Sequence, residues 1–373
     1  MHVIVCGGGV IGAAVAYFLA RRAVAVTIVE RTGVANAASG KSGGFLALDW
    51  CDGTPLQALA RRSFALHAEL AAALDDDWGY RRLDTYGGWA RAGGPGGGTA
   101  LGWVGDSVAI GRRLGGPQTT AQVHPARFTE AMLRAAQAHG ARLVAGTVAG
   151  IDSGPASAQV QVDGAVHEAD AVVVAMGPWS ILAAQWLPLP AVYGLKGHSL
   201  VFETGAAVPA ESLFLDVEEP SGASQSPEVF PRPDGTTYVC AISSESPLPV
   251  DPAAVAPDPG AIDRLAAMCA TISPILAGAP VLARQACFRP VTRDGLPLIG
   301  RVAGRDRVFV ATGHSVWGIL NAPATGEAMA ELIVDGAART VDIAPFDPGR
   351  MAPFDPARLQ AAPRVRRPLP SAG

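Results

Sequence analysis

Long apolar runs are what this chain most plainly lacks. No stretch approaches the ~20 residues that a helix needs to cross a bilayer, so no membrane span is predicted. Basic charge is not in excess either. The 29 Lys and Arg against 33 Asp and Glu leave a net charge of −4, which excludes the broad cationic surface that nucleic acid requires. Cysteine is scarce and odd in number: Cys6, Cys51, Cys240, Cys269 and Cys287 stand far apart, without the paired spacing of a zinc site. Free thiols in a reducing compartment are therefore expected, with no metal and no disulfide framework. Internal repeats are absent. Strand-like residues begin directly after Met1, so a targeting peptide is not expected, and a cytoplasmic enzyme is.

What is there suits a larger fold. At 373 residues the chain exceeds one compact core, and two domains, or one with a large insertion, are expected. His2-Val-Ile-Val-Cys6 is a short continuous apolar run, as a parallel strand covered on both faces would be. Gly7, Gly9 and Gly12 follow as G-x-G-x-x-G, enclosing Val10 and Ile11. A helix over about 13–21 and a second strand over 26–29 ending at Glu30 complete the unit. Gly7 permits the tight turn, Gly9 a close approach to a pyrophosphate, and Gly12 close packing of helix on strand. Glu30 stands where a carboxylate accepts both ribose hydroxyls and would repel a 2′-phosphate. The ligand is then NAD or FAD, and these residues leave the choice open.

A second run of small residues, Asn36-Ala-Ala-Ser-Gly-Lys-Ser-Gly-Gly44, follows and leads into Phe45. It can lie against a large planar ring and donate backbone N–H groups to it, or be a surface loop. Together GGGVIG, Glu30 and AASGKSGG resemble the FAD-dependent amine and amino-acid oxidoreductases, the glycine oxidase, sarcosine oxidase and D-amino-acid oxidase family. Further segments resemble that family in order: 123–151, ADAVVVAMGPWS (169–180), PEVFPRPDGTTYVCA (227–241), CFRPVTRDGLPLIGRV (287–302) and 308–332.

The resemblance implies FAD and an α/β fold. A Rossmann-like FAD-binding domain of the glutathione-reductase type (1–50, 125–185, 295–340) would be interleaved with an α+β substrate domain carrying a large antiparallel sheet (51–124, 186–294). Residues 341–373 would be a Pro-rich surface extension. Besides the first glycines and Glu30, the implied cofactor contacts are Arg31, Ala38, Ser39, Lys41, Ser42, Gly43, Gly44, Phe45, Val148, Ala175, Gly177, Trp179, Gly313, Trp317, Gly318, Ile319 and Leu320. Within this frame the pattern predicts a strand over 142–148, helices over 57–74, 261–271 and about 324–334, a loop over 91–105, and a hairpin turn at Arg232-Pro-Asp-Gly235.

Arg289, in R-P-x-T-x-D-G, is implied to hold a substrate carboxylate through two parallel bonds. The competing reading pairs it with Asp294. Cys287 falls where one branch ties the flavin covalently, although a buried thiol and non-covalent FAD fit Arg289 and Pro290 better. His314 either lines the pocket or bonds its own loop. Lys196, in Lys196-Gly-His198, is a charge partner or oxygen-activating group, or a solvated lysine. Glu228 replaces the family's Tyr, so either it faces elsewhere or the substrate is no simple amino acid. The implied reaction takes a hydride from a carbon bearing nitrogen to flavin N5, leaving an imine for water to hydrolyse, with dioxygen or an electron carrier as acceptor. The alternatives are an FAD-dependent 2-hydroxy-acid dehydrogenase, a flavin-bearing scaffold or trafficking protein without turnover, and an NAD dehydrogenase.

Overall fold

The apolar run His2–Cys6 becomes an inner strand of a six-stranded sheet, with Val3 to Cys6 fully buried. The computed structural model describes residues 1–91, 101–219 and 222–359. Strand order is Leu298–Arg301, Val308–Thr312, Ala171–Val174, His2–Cys6, Ala25–Glu30, Arg142–Ala145. All neighbours are parallel except the first pair. Parallel strands need both faces covered. The helices Val10–Ala20, Pro125–Ala138 and Gly318–Asp335 cover one face. A three-stranded sheet, Val148–Ser153, Ala158–Val162 and Ala165–Ala169, covers the other.

Two boundaries differ from the sequence pattern. The strand expected over 142–148 breaks at Gly146-Thr147, so Arg142–Ala145 joins the parallel sheet and Val148–Ser153 the small one. The last helix begins at Gly318, well before Ala324, and runs through Pro323. Proline has no N–H and leaves the carbonyl of residue i−4, here Ile319, without its helical partner. His67 Nε2 fills that place, lying 3.0 Å from the Ile319 carbonyl and 3.2 Å from that of Leu320. One residue on, Ala324 N–H turns to Ser63 Oγ at 3.0 Å. Ser63 and His67 are one turn apart on helix Gln57–Ala73, which therefore packs against Gly318–Asp335 on the side of the six-stranded sheet.

A second, eight-stranded sheet runs Val281–Val291, Tyr193–Glu203, Thr236–Ser244, Glu228–Pro231, Glu211–Glu218, Asp84–Arg91, Val108–Gly115, with Ser224–Gln225 beside Glu211–Glu218. It is mixed rather than wholly antiparallel: Glu211–Glu218 and Asp84–Arg91 run parallel. The hairpin at Arg232-Pro-Asp-Gly235 forms as expected, with Arg232 N–H donating to the Thr236 carbonyl at 2.7 Å. Helix Ala261–Ile272 covers the back of this sheet. Most of the loop expected over 91–105 lies outside the described residues, although Leu101 and Trp103 in its last part are buried.

The segment 341–359 is docked and is no loose extension. Phe346 is fully buried in the main core, and Phe354 N–H donates to the Leu189 carbonyl at 2.8 Å. Arg350 clamps Asp294 at 2.8 Å and the Leu296 carbonyl at 2.8 Å. An apolar ring and a charge-assisted anchor hold the segment where composition alone suggested solvation.

Candidate active site

A cavity of about 550 Å³ runs from the first glycine turn to the face of the large sheet. At its nucleotide end the chain crowds upon itself. Gly7 has φ +117°, and a Cβ there would fall 2.4 Å from the Ala175 carbonyl oxygen. Gly9 offers helix Val10–Ala20 no side-chain cap of its own, leaving the Ile11 and Gly12 amides of the first turn for an anion. Ser39 Oγ accepts from Val10 N–H at 2.9 Å, tying the second small-residue run to this turn. Glu30 Oε2 accepts from Gly8 N–H at 2.7 Å and Oε1 from Thr32 N–H at 2.7 Å, which fixes the carboxylate at the cavity edge.

Most of the expected cofactor contacts border this space. Gly7, Gly9, Val10, Ile11, Glu30 and Arg31 do so at the nucleotide end. Ala38, Ser39, Ser42 and Gly43 flank the middle, with Val148, Ala175, Gly177 and Trp179 opposite. Gly313, Gly318 and Ile319 close the far end at the last helix. Six expected contacts lie elsewhere. Gly12 serves packing, since a Cβ would sit 2.0 Å from the Gly7 carbonyl oxygen. Gly44, at φ +80°, passes equally close to the Val123 carbonyl. The Lys41 carbonyl accepts from Tyr238 Oη at 3.0 Å. Phe45 stacks with Phe230 and meets Trp50, which in turn meets Trp317 edge-on. Leu320 is core.

At the other end, Arg289, Glu228, Tyr238, Cys240 and Cys287 share one face of the large sheet and border the cavity. Asp294 is taken by Arg350, so Arg289 is not its partner. Arg289 Nη1 instead donates to Ser243 Oγ at 3.1 Å, and among the described residues no carboxylate lies in ion-pair range of it. Gly197 makes room for it: a Cβ there would stand 3.3 Å from the guanidinium. Glu228 faces the cavity, where burial pushes its carboxyl up and the field of Arg289 works the other way. Cys240 Sγ contacts Glu228 Oε2 at 3.5 Å. Burial also raises the Cys287 thiol, which works against the thiolate that a covalent flavin link would need.

Two expected groups are otherwise engaged. Lys196 does not border the cavity; its Nζ donates to Asp258 Oδ1 at 2.6 Å, so its charge is neutralised in place. His314 borders the cavity, but its ring is buried, with Nε2 3.1 Å from Thr325 Oγ1, and desolvation holds its pKa down at about 3. Asp258 also accepts from Ser244 and Ser246, and its N–H donates to His198 Nε2 at 3.0 Å. These contacts pin one end of the segment 245–258. Its middle is held from the nucleotide side: Trp179 Nε1 donates to the Pro249 carbonyl at 2.8 Å and Arg31 to that of Val250 at 3.2 Å. Val250 and Pro252 thus border the cavity, as does Leu359 near the described C-terminal end.

Sequence reasoning passed over Tyr238 and Cys240, although their period-two spacing in TTYVCA put both on one face of a strand. It also passed over the strap 245–258, which acts through main-chain carbonyls that no residue type announces.

Residues 2–90 and 112–332 match the family model described as FAD dependent oxidoreductase. The chain belongs to the FAD-dependent oxidoreductase family. A Schizosaccharomyces pombe protein named only as a candidate oxidoreductase is 30% identical over 93% of this chain and 97% of its own. Glycine oxidase of Geobacillus kaustophilus is 28% identical over 92% of this chain and 95% of its own. A crystal structure of glycine oxidase from Geobacillus kaustophilus superposes with a TM-score of 0.78 at 27% identity, covering 94% of this chain and 98% of that one. The cavity fits the family's FAD on its own evidence. Ser42 Oγ is buried at its wall without a partner, and the uncapped helix N-terminus stands at its nucleotide end. No helix among the described residues of this FAD-dependent oxidoreductase is long and apolar enough to cross a membrane.

Proposed function

We propose that this protein oxidises the C–N bond of an amino acid or of a primary or secondary amine. FAD, bound between the glycine turn and the large sheet, supplies the hydride acceptor. The observation carrying the reading is Arg289, a guanidinium at the cavity wall with a single neutral partner, Ser243, and an open fork. A carboxylate held bidentately there would be fixed in position and orientation, and that alignment is the chain's main catalytic contribution. The amides at the start of helix Gly318–Asp335 favour negative charge at the far end of the cavity. The imine formed from the substrate hydrolyses with water. Dioxygen or an electron carrier serves as the final acceptor. In this reading the six-stranded sheet and its helices hold the cofactor and the eight-stranded sheet presents the substrate.

The test is anaerobic mixing of the FAD-loaded protein with N-methyl, D- and L-amino acids and with 2-hydroxy acids. Bleaching of the oxidised flavin band by an amine is expected. Bleaching by hydroxy acids alone, or by nothing, overturns the reading. Arg289→Met is expected to keep its flavin and lose roughly 30-fold or more in reduction efficiency, since truncating one partner of a buried charge pair costs about 2–5 kcal/mol.

A further inference from the structure

The sheet face that closes the cavity does not end at Glu228. Pairing register carries one row of residues across it: Cys240 opposite Glu228, Glu228 opposite Phe214, Phe214 opposite Gly87, and Gly87 opposite Arg112. Paired residues of neighbouring strands project to the same face, so the row runs from the cavity toward the sheet edge in steps of about 4.8 Å. Gly87 leaves it without a side chain between Phe214 and Arg112, and a groove of about 440 Å³ opens there. Trp89, 56% exposed, and Phe214 line it, and Asp216 lies beside Trp89 in the register. Asp216 Oδ1 accepts from Ser226 Oγ at 3.0 Å. Glu228 borders both the cavity and the groove.

Charge decides what this arrangement accepts. Arg289 and Glu228 present opposite signs to one cavity. Hydride leaves the α-carbon only when its nitrogen is neutral, so a simple amino acid in its reacting form answers the guanidinium alone and leaves the Glu228 carboxylate unpaired in a desolvated space. A substrate with a distal cation answers both. Arg112 and Asp216 are exposed and of opposite sign, so the groove's outer rim adds no net preference. Ring faces of Trp89 and Phe214 favour a cation as well.

We propose that the groove beyond Glu228 is a side-chain subsite for a dibasic amino acid, whose carboxylate meets Arg289 and whose terminal protonated nitrogen passes Glu228 toward Asp216 and Trp89. The inference rests on the amine-oxidation reading above. Asp216 lies one strand across and two residues along from Glu228, roughly 8 Å between backbones, and a four-carbon side chain passing Glu228 covers most of that span.

The experiment compares lysine with norleucine, which has the same carbon chain without the terminal nitrogen, in flavin reduction by the FAD-loaded protein. In parallel, α-methyllysine and α-methylnorleucine, which have no α-hydrogen to give up, are titrated against the flavin spectrum; all four are used as racemates. Lysine and α-methyllysine are expected to be favoured by about tenfold or more, as for a desolvated charge contact. Glu228→Gln should erase the preference, read as the ratio of lysine to norleucine reduction and of α-methyllysine to α-methylnorleucine binding within that variant. Trp89→Ala, at an exposed position, should reduce it several-fold. Equal behaviour of the paired compounds, a preference that survives Glu228→Gln, or one left unchanged by Trp89→Ala overturns the subsite. If nothing reduces the flavin but α-methyllysine still binds more tightly, the redox reading falls and the subsite stands. If both amino acids reduce it equally, the subsite falls and the redox reading stands.

Discussion

Gly43 shows how much of this site is set by single atoms. A Cβ at that position would fall 2.3 Å from the ring of Phe230, and Arg232 and Tyr238, from the same hairpin, hold the Ser42 and Lys41 carbonyls beside it. Gly43→Ala is expected to push this loop off the hairpin and weaken FAD binding at least tenfold by flavin titration, with Phe230→Leu in the same chain recovering part of the loss. Titration of buried groups belongs to this scale too. His67 is fully desolvated and its pKa is held down at about 4 from a usual 6.5. The unfolded chain therefore binds more protons than the folded one between those values, and stability falls as pH drops from about 6.5 toward about 4. The limit is about 1.4 kcal/mol per pH unit for one such group. Urea midpoints at pH 7, 6 and 5 should decline, and less steeply in His67→Gln.

The pairing of helix Gln57–Ala73 with the proline-bearing helix Gly318–Asp335 is the clearest relation between elements. His67→Leu orphans the Ile319 carbonyl and should cost about 1–3 kcal/mol in unfolding free energy. In a Pro323→Ala background the cost should shrink, because alanine at that position restores the missing N–H; equal costs in both backgrounds would sever the link. Much at this scale was legible beforehand. The first strand, the glycine turn and the Asp-Gly hairpin are local signals that packing did not override. The break at Gly146-Thr147 and the early start at Gly318 were not legible, since one depends on which sheet recruits Val148 and the other on donors supplied from residues 63 and 67. Within the site, Arg289 and Glu228 stood out through the resemblance, one by its R-P-x-T-x-D-G motif and the other by standing where the family has a Tyr. Lys196 was equally conspicuous, and only the fold shows Asp258 neutralising it.

Across the whole molecule, the last described segment is part of the body. Phe346→Ala is expected to destabilise the protein by about 3–5 kcal/mol, read from denaturant midpoints, because a fully buried ring leaves a cavity. Composition marked 341–373 as an extension, since proline and charge there outweigh two phenylalanines and one well-placed arginine. The nucleotide-side sheet has a further property: it takes its strands from both ends of the chain, with His2–Cys6 beside Ala171–Val174 and that strand beside Val308–Thr312. A ribosome making this protein has thus finished the glycine turn some three hundred residues before the strand that completes its wall emerges. Until then the nascent polypeptide waits with an open apolar flank, and the vitamin-derived cofactor can be captured only once Val308–Thr312 has emerged.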